Sequence, residues 1–135
     1  MEVHNLSVAV RYFSRSGNTK KVACAMAEAL GVEAISVDET GAALTEKVDT
    51  LFIGGAVYAY GIDSVLKEYL SNISGDKVGR AVLFSTSWIT KHALDVMRKA
   101  LEQKGIEVVD ESFYCKSKAV DSELDNVKAF AKKYM

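Results

Sequence analysis

The chain has 135 residues, which is enough for one folded domain with its own core. Apolar residues make up 49% of it and charged residues 26%, a composition that is typical of a globular domain and excludes a disordered or fibrous chain. The formal net charge is -1 and the basic residues are scattered, so the sequence has neither a basic stripe for nucleic acid nor a polybasic patch for an anionic membrane.

The two cysteines, Cys24 and Cys115, are far apart and have no Cys-x-x-Cys or Cys/His spacing around them. This pattern predicts neither a disulfide framework nor a metal site. The first residues lack the pattern of a signal peptide, and no apolar run approaches the roughly 18 residues of a membrane span. We therefore expect one cytoplasmic domain over residues 1–135, without metal.

A strand, a small-residue loop and a helix are predicted at the start of the chain. The apolar segment Leu6–Phe13 predicts the strand, and residues 14–19 predict the loop. From Lys20 to Leu30 apolar residues recur every three or four positions, which indicates one buried face of an amphipathic helix. Gly31 is expected to end this helix.

Two more strands are predicted before the middle of the chain. Val32–Val37 is a short second strand, and Thr50–Ile53 is an apolar run of the kind found in a fully buried strand. The connection between them is expected to contain at most a short helix near Ala42–Lys47. The third strand enters Gly54-Gly55, where a loop with backbone freedom is expected.

The second half of the chain continues the same alternation. In chain order we expect a helix capped by Asp63 or Ser64, a strand over Ala81–Phe84, a helix ended by Gly105, an edge strand over Ile106–Cys115 and a helix capped by Asp121 or Ser122. Five strands alternating with four clear helices predict an α/β fold of the doubly wound type, a parallel sheet covered on both faces. In such sheets ligands bind beyond the carboxyl ends of the strands, so the loops after strands one, three and four matter most.

The first of these loops has the chemistry of a phosphate site. It offers hydroxyls, backbone amides and a glycine, and its last residues open a helix whose free N–H groups and dipole favour an anion; its residues are Ser14, Arg15, Ser16, Gly17, Asn18 and Thr19. It lacks the lysine-bearing motif of nucleoside triphosphatases, and no Gly-x-Gly-x-x-Gly follows any strand. The alternative is that Ser16 or Asn18 only caps the helix.

This loop resembles the signature of the flavodoxin family, Thr/Ser-x-Thr/Ser-Gly-Asn-Thr, and the chain is similar to its short-chain members over its whole length. The resemblance implies a five-stranded parallel sheet in the order 2-1-3-4-5 and a noncovalently bound FMN with its phosphate in the first loop. Arg15 stands at the variable position of the signature, where it either neutralises phosphate charge or faces solvent.

The resemblance also implies that the loops after strands three and four flank the flavin ring. The residues expected there are Ala56, Val57, Tyr58, Ala59, Tyr60, Gly61, Ser85, Thr86, Ser87 and Trp88. Tyr58 or Tyr60 is favoured over Trp88 as the stacking aromatic, and a Gly61 peptide is expected near the flavin N5. The three hydroxyl residues either bond the pyrimidine edge of the ring or cap the following helix.

Three functions are compatible with these residues. The first is an FMN electron carrier between a donor reductase and an acceptor protein, as a monomer or weak dimer and without nucleic acid or membrane. The second is an FMN-dependent NAD(P)H:quinone-type oxidoreductase, although no catalytic acid or base stands out. The third is a flavin-free interaction module. Two departures from the family are the nearly neutral charge and Ala56, where relatives often have proline.

Overall fold

The computed structural model describes residues 7–58, 61–87 and 92–134, with only the backbone described at 57, 58, 61 and 87. The strands are β1 (Val8–Tyr12), β2 (Ala34–Ser36), β3 (Val48–Tyr58), β4 (Gly61–Ile62), β5 (Val78–Ser87), β6 (Glu107–Val108) and β7 (Phe113–Lys116). The helices are α1 (Asn18–Leu30), α2 (Ser64–Asn72), α3 (His92–Glu102) and α4 (Val120–Lys132).

The sheet has the expected order. β2, β1, β3 and β5 lie side by side and parallel, and both β6 and β7 pair with β5, so that together they form the fifth position. The order 2-1-3-4-5 is therefore confirmed. Among the strands that the structure describes, β4 alone is antiparallel; it pairs with the end of β3 through Val57 and Ile62 and was not predicted.

Helices cover both faces of the sheet because side chains alternate along each strand. On one face Leu51, Ile53 and Leu83 pack against α2 and α3. On the other, Phe52 and Phe84 pack against α1 and α4. The two central strands are consequently buried on both sides, which explains their continuous apolar sequences. Among the residues described, no helix has the length and apolar character needed to cross a membrane.

The segment between β2 and β3 contains no more than the short helix that was expected near Ala42–Lys47, and its helical turn begins two residues earlier. It contains a single 3-10 turn, Thr40–Ala42, and side chains hold it in place. Arg11, only 8% exposed, donates from Nε to the carbonyl oxygen of Ala42 (2.8 Å), and the Tyr69 hydroxyl donates to the same oxygen (2.5 Å). Burial raises the pKa of Tyr69, while the Arg11 guanidinium opposes this rise.

The outer strand is also not continuous over Ile106–Cys115. Val108 pairs with Ala81 and Phe113 with Phe84, so four residues of the outer strand, 109–112, lie opposite two of β5. The ladder cannot continue through this excess and breaks into β6 and β7. Arg98 of α3 donates to the carbonyl oxygens of residues 108, 109 and 110 at 3.4, 3.1 and 3.4 Å.

The helix ends agree with the predictions at Gly31 and Asp63. Gly31 ends α1 in the left-handed region at φ 74°, and Asp63 caps α2 by accepting from the backbone N–H of Val65. The prediction that Asp121 or Ser122 caps the last helix is wrong. A 3-10 turn over Ser117–Ala119 leads directly into α4, so Asp121 falls within its first turn, where the helix dipole favours its charge.

Candidate functional site

The fold brings the starts of all three expected cofactor loops to one edge of the sheet. In the pairing register Tyr12 of β1 lies beside Gly54 of β3, and Gly54 lies beside Phe84 of β5. The pairing continues one residue further, because the backbone N–H of Phe13 donates to Gly54 O (3.2 Å). The three carboxyl ends are therefore neighbours, in the place where open α/β sheets bind ligands.

In the first loop the cap position of α1 belongs to Gly17, so neither Ser16 nor Asn18 occupies it. Gly17 has φ 95°, a left-handed conformation that favours glycine, and no side chain caps the helix. The loop is ordered from within, since Ser14 Oγ accepts from the N–H of Gly17 (3.0 Å) and Ser16 Oγ from that of Asn18 (3.4 Å). Because Gly17 has no side chain, the cap residue itself satisfies none of the backbone N–H groups at the start of the helix, and Ser16 accepts from the first of them.

The acidic side chains at the starts of the helices also indicate that α1 favours an anion. Helix α2 has the carboxylate of Asp63 at its cap, α3 has Asp95 in its first turn, and α4 has Asp121 and Glu123. The first turn of α1 contains no acid. The positive end of its dipole is therefore the one that no acidic side chain of its own element compensates, and an anion is favoured there.

Buried hydroxyl groups connect the three loops with one another. Thr19, in the first turn of α1, and Thr86, near the end of β5, have hydroxyl oxygens 2.7 Å apart and are each 1% exposed. Ser85 is fully buried and donates from Oγ to the carbonyl oxygen of Gly55 (2.7 Å). These two contacts fix the end of β5 against both the first loop and the end of β3.

Arg15 connects the first loop to the start of α2. Its Nε–H donates to Asp63 Oδ2 (2.5 Å), while the Arg15 side chain is 57% exposed and that of Asp63 only 6%. Burial raises the pKa of the Asp63 carboxyl, but hydrogen bonds from Arg15 and from the N–H of Val65 oppose it more strongly, and the pKa lies below its usual value. Arg15 also lies over the Phe13 ring, with Cζ 5.8 Å from its centroid.

The remaining predicted residues are placed only in part. Ala56, half-buried, pairs with Thr86, and the backbones of Val57 and Tyr58 continue β3 to its pairing with β4. Gly61 is the first residue of β4, and Ser87 the last of β5. Ala59, Tyr60 and Trp88 lie outside the described residues. The side chain expected to stack on the ring therefore stays a prediction.

Sequence reasoning missed the contacts between loops. Asp63 was expected only as a helix cap, and its second role depends on Arg15, 48 positions earlier in the chain. The partners of Thr86 and Ser85 are 67 and 30 positions away. No local signal in the sequence indicates these contacts, because the two partners of each lie in different segments of the chain.

A cavity of about 310 Å³ lies elsewhere, between helix α2 and the segment that connects β2 to β3. Its walls include Glu39, Leu44, Tyr69 and Lys77. None of the described residues that were predicted to bind the cofactor lines this cavity. Since ligands of this fold class bind at the carboxyl ends of the strands, it is not the candidate site.

The chain matches a known domain family. A family model described as a flavodoxin domain matches residues 9–130. Among curated proteins, no sequence matches the chain significantly.

Solved structures share the fold at low sequence identity. A flavodoxin from the domain Archaea is 21% identical, with 93% of this chain and 94% of that chain covered and a TM-score of 0.78. A short-chain flavodoxin associated with a non-canonical PDU bacterial microcompartment is 16% identical, with 94% and 95% covered and a TM-score of 0.77. The apo form of an NADH:FMN oxidoreductase is 22% identical, with 97% and 90% covered and a TM-score of 0.71.

Proposed function

Because the chain belongs to the flavodoxin domain family, we propose that it is an FMN-binding electron-transfer protein that carries electrons between a donor reductase and an acceptor protein. The observation that carries this proposal is the start of α1. It has a glycine cap, no capping side chain and no acid in its first turn, next to a loop of hydroxyl residues.

The donor set fits a phosphate monoester. The first loop contributes the hydroxyl groups of Ser14 and Ser16 and backbone N–H groups, which together can donate several hydrogen bonds to phosphate oxygens. A Cβ atom at Gly17 would meet no other atom within 4 Å, so the space over this backbone is open. Open space over the backbone at a helix start is what close approach of a phosphate requires.

In this proposal the first loop holds the FMN phosphate, and the ends of β3, β4 and β5 flank the ring. The bound flavin supplies the one- and two-electron chemistry. The protein positions the ring and excludes water on one side. A strongly acidic carrier docks onto partners with a basic surface. Because the net charge of this chain is only -1, we expect its partners to lack a strongly basic docking surface.

The direct test is a titration of the purified apo-protein with FMN, followed by the change in flavin fluorescence and by the melting temperature. We expect saturable binding and a rise in melting temperature, since a ligand that binds only the folded state stabilises it. No binding and no stabilisation at saturating FMN would contradict the proposal.

A substitution in the loop tests the phosphate site. Gly17→Val should weaken FMN binding by about tenfold or more, because a branched side chain fills the space over the loop and strains a residue at φ 95°. Riboflavin, which lacks the phosphate, should be affected less. Gly31→Val is the matched control, because Gly31 also has a positive φ, 74°, and open space, but lies at the other end of α1.

A second candidate is an FMN-dependent NAD(P)H oxidoreductase, which the likeness to an NADH:FMN oxidoreductase favours. The two functions differ in what reduces the flavin. If NADH or NADPH reduces the FMN-loaded protein rapidly and supports continuous quinone reduction without a separate reductase, the oxidoreductase is correct. If reduction requires a reductase, the carrier is correct.

A further inference from the structure

The ion pair between Arg15 and Asp63 differs from an ordinary surface pair in one respect. Arg15 is 57% exposed, but the carboxylate that it contacts is almost completely buried, at 6%. Both carboxylate oxygens have donors, since Oδ2 accepts from Arg15 (2.5 Å) and Oδ1 from the backbone N–H of Val65 (2.9 Å). Asp63 therefore connects the first loop directly to the first turn of α2.

We infer that Asp63 is a positioning residue for the FMN phosphate and acts through Arg15. This inference rests on the proposed function. Arg15 lies between Ser14 and Ser16, the two residues whose hydroxyls accept from the loop's own N–H groups. Fixing Arg15 against a buried carboxylate fixes both neighbours, and the loop is then ordered before the cofactor binds. Preorganisation of this kind increases affinity, because the entropy cost of ordering has already been met.

Arg15 stays with Asp63 when the phosphate binds. If the guanidinium moved to the phosphate, it would leave a buried carboxylate with one oxygen unpaired, and an unpaired buried charge is unfavourable. The phosphate, at an exposed loop, gains less from an arginine because water screens the pair. The phosphate is therefore held by uncharged donors and the helix dipole, and the arginine orders the loop.

The chain offers a substitution that separates the two roles of Asp63. Asn is as good a helix cap as Asp, so Asp63→Asn keeps the hydrogen bond to Val65 and removes the charge that holds Arg15. Arg15→Gln removes the other partner. Glu28→Gln is the control, because it breaks the Lys128–Glu28 pair (3.3 Å) toward the opposite end of α1.

The experiment measures the affinities of wild type and these variants for FMN and for riboflavin. We expect Asp63→Asn to weaken FMN binding about fivefold, the upper end for a pair with one exposed partner, and riboflavin binding less than twofold. The ratio of the variant's to the wild type's FMN dissociation constant should be the same in 1 M salt. Salt screens any attraction between Arg15 and the phosphate, and the inference gives the arginine no contact with the phosphate. The double variant that combines Asp63→Asn with Arg15→Gln should bind FMN no more weakly than Arg15→Gln alone. The single variant leaves the buried Asp63 carboxylate unpaired, whereas the double variant has no carboxylate at this position.

Several results would overturn the inference. If Asp63→Asn binds FMN as tightly as wild type or more tightly, Asp63 does not order the loop for phosphate. Equal losses for FMN and riboflavin would assign Asp63 to the support of α2 only. If the wild type itself does not bind FMN, the proposed function fails instead.

A cofactor-free measurement distinguishes these cases. Amide exchange in residues 15–19 of the apo-protein should accelerate in Asp63→Asn and remain unchanged in Glu28→Gln. Unchanged exchange in Asp63→Asn would contradict the inference whatever the affinities are, and urea unfolding of each variant confirms that the folded state is compared.

Discussion

At the scale of single residues, Asp63 is the acid whose environment has the clearest energetic consequence. Burial raises its pKa, but donors from Arg15 and Val65 lower it more, so the folded chain binds a proton less readily than the unfolded chain does. A carboxylate with a lowered folded pKa stabilises the fold above the unfolded pKa, and this contribution disappears as pH falls through the folded value.

The free energy of unfolding should therefore fall in acid partly because of Asp63. We expect Asp63→Asn to lose about 1 kcal/mol relative to wild type at pH 7, and this difference to shrink below about pH 4. Urea unfolding at pH 7, 5 and 3 measures both curves. A difference that is the same at all three pH values would show that charge on Asp63 does not contribute.

The two thiols should differ in reactivity. Cys24 is exposed on α1, whereas Cys115 is 6% exposed, and burial together with the nearby Glu123 raises the pKa of Cys115 to about 11. Since the thiolate is the reactive form, one thiol per folded chain should react with a disulfide reagent at pH 8 and the second only after unfolding. Cys24→Ser should abolish the fast phase, and rapid reaction of both thiols would contradict the burial of Cys115.

Residue types in the sequence indicated the chemistry of the loops but not the partners of each group. Ser85 and Thr86 were expected either to bond the flavin or to cap the following helix, and their hydroxyls contact Gly55 and Thr19 within the protein. Whether their backbone groups also meet a flavin stays a prediction. Arg11 was missed as a buried group, because a charged residue within an apolar strand gives no sign of which carbonyl it will satisfy.

At the scale of elements, apolar periodicity predicted the four described helices and the buried part of each of the five parallel strand positions, because apolar residues recur where side chains are buried. It did not predict where strands extend beyond their buried part, as β3 does to Tyr58 and β5 to Ser87. The break in the outer strand depends on two extra residues relative to β5, and the turn between β2 and β3 depends on Arg11 and Tyr69. The sequence of a single segment shows neither how many residues a neighbouring strand has nor which distant side chains bond to it.

The two glycines at the end of β3 provide an element-scale test of packing. A Cβ at Gly54 would overlap the Phe84 ring and lie 2.5 Å from the Phe84 carbonyl oxygen, whereas one at Gly55 would overlap only the end of the Leu66 side chain. A backbone atom cannot move away but a leucine methyl can. Gly54→Ala should therefore destabilise the protein by about 3 kcal/mol and Gly55→Ala by about 1 kcal/mol in urea unfolding. The reverse ranking would contradict the packing at β3.

At the scale of the whole molecule, the alternation of strands and helices is sufficient to predict a parallel sheet with helices on both faces. It does not give the strand order, since several orders are compatible with the same alternation. The order came from the resemblance of the first loop to a family signature, and the pairing of β1 with both β2 and β3 confirms it. The small antiparallel strand β4 had no signal in the sequence.

The distribution of stability over the molecule follows from this order. β3 and β5 are covered on both faces and paired on both sides, so their amides at Leu51–Ile53 and Ala81–Phe84 should open only with global unfolding. Amide exchange by NMR should show the slowest rates there and faster rates in the edge strand Ala34–Ser36. Equal protection of centre and edge would contradict this expectation.

The broken outer strand also affects whether the sheets of two chains can pair edge to edge at high protein concentration. In the described part of the chain, the longest uninterrupted edge segments are the three residues of β2 and the four of β7. Arg98 occupies carbonyl oxygens that would otherwise accept hydrogen bonds at the break. Another strand would find no long row of free N–H and C=O groups to continue, so both lateral edges resist sheet extension and aggregation. The carboxyl ends of the strands can therefore stay open to solvent without the sheet polymerising through its lateral edges.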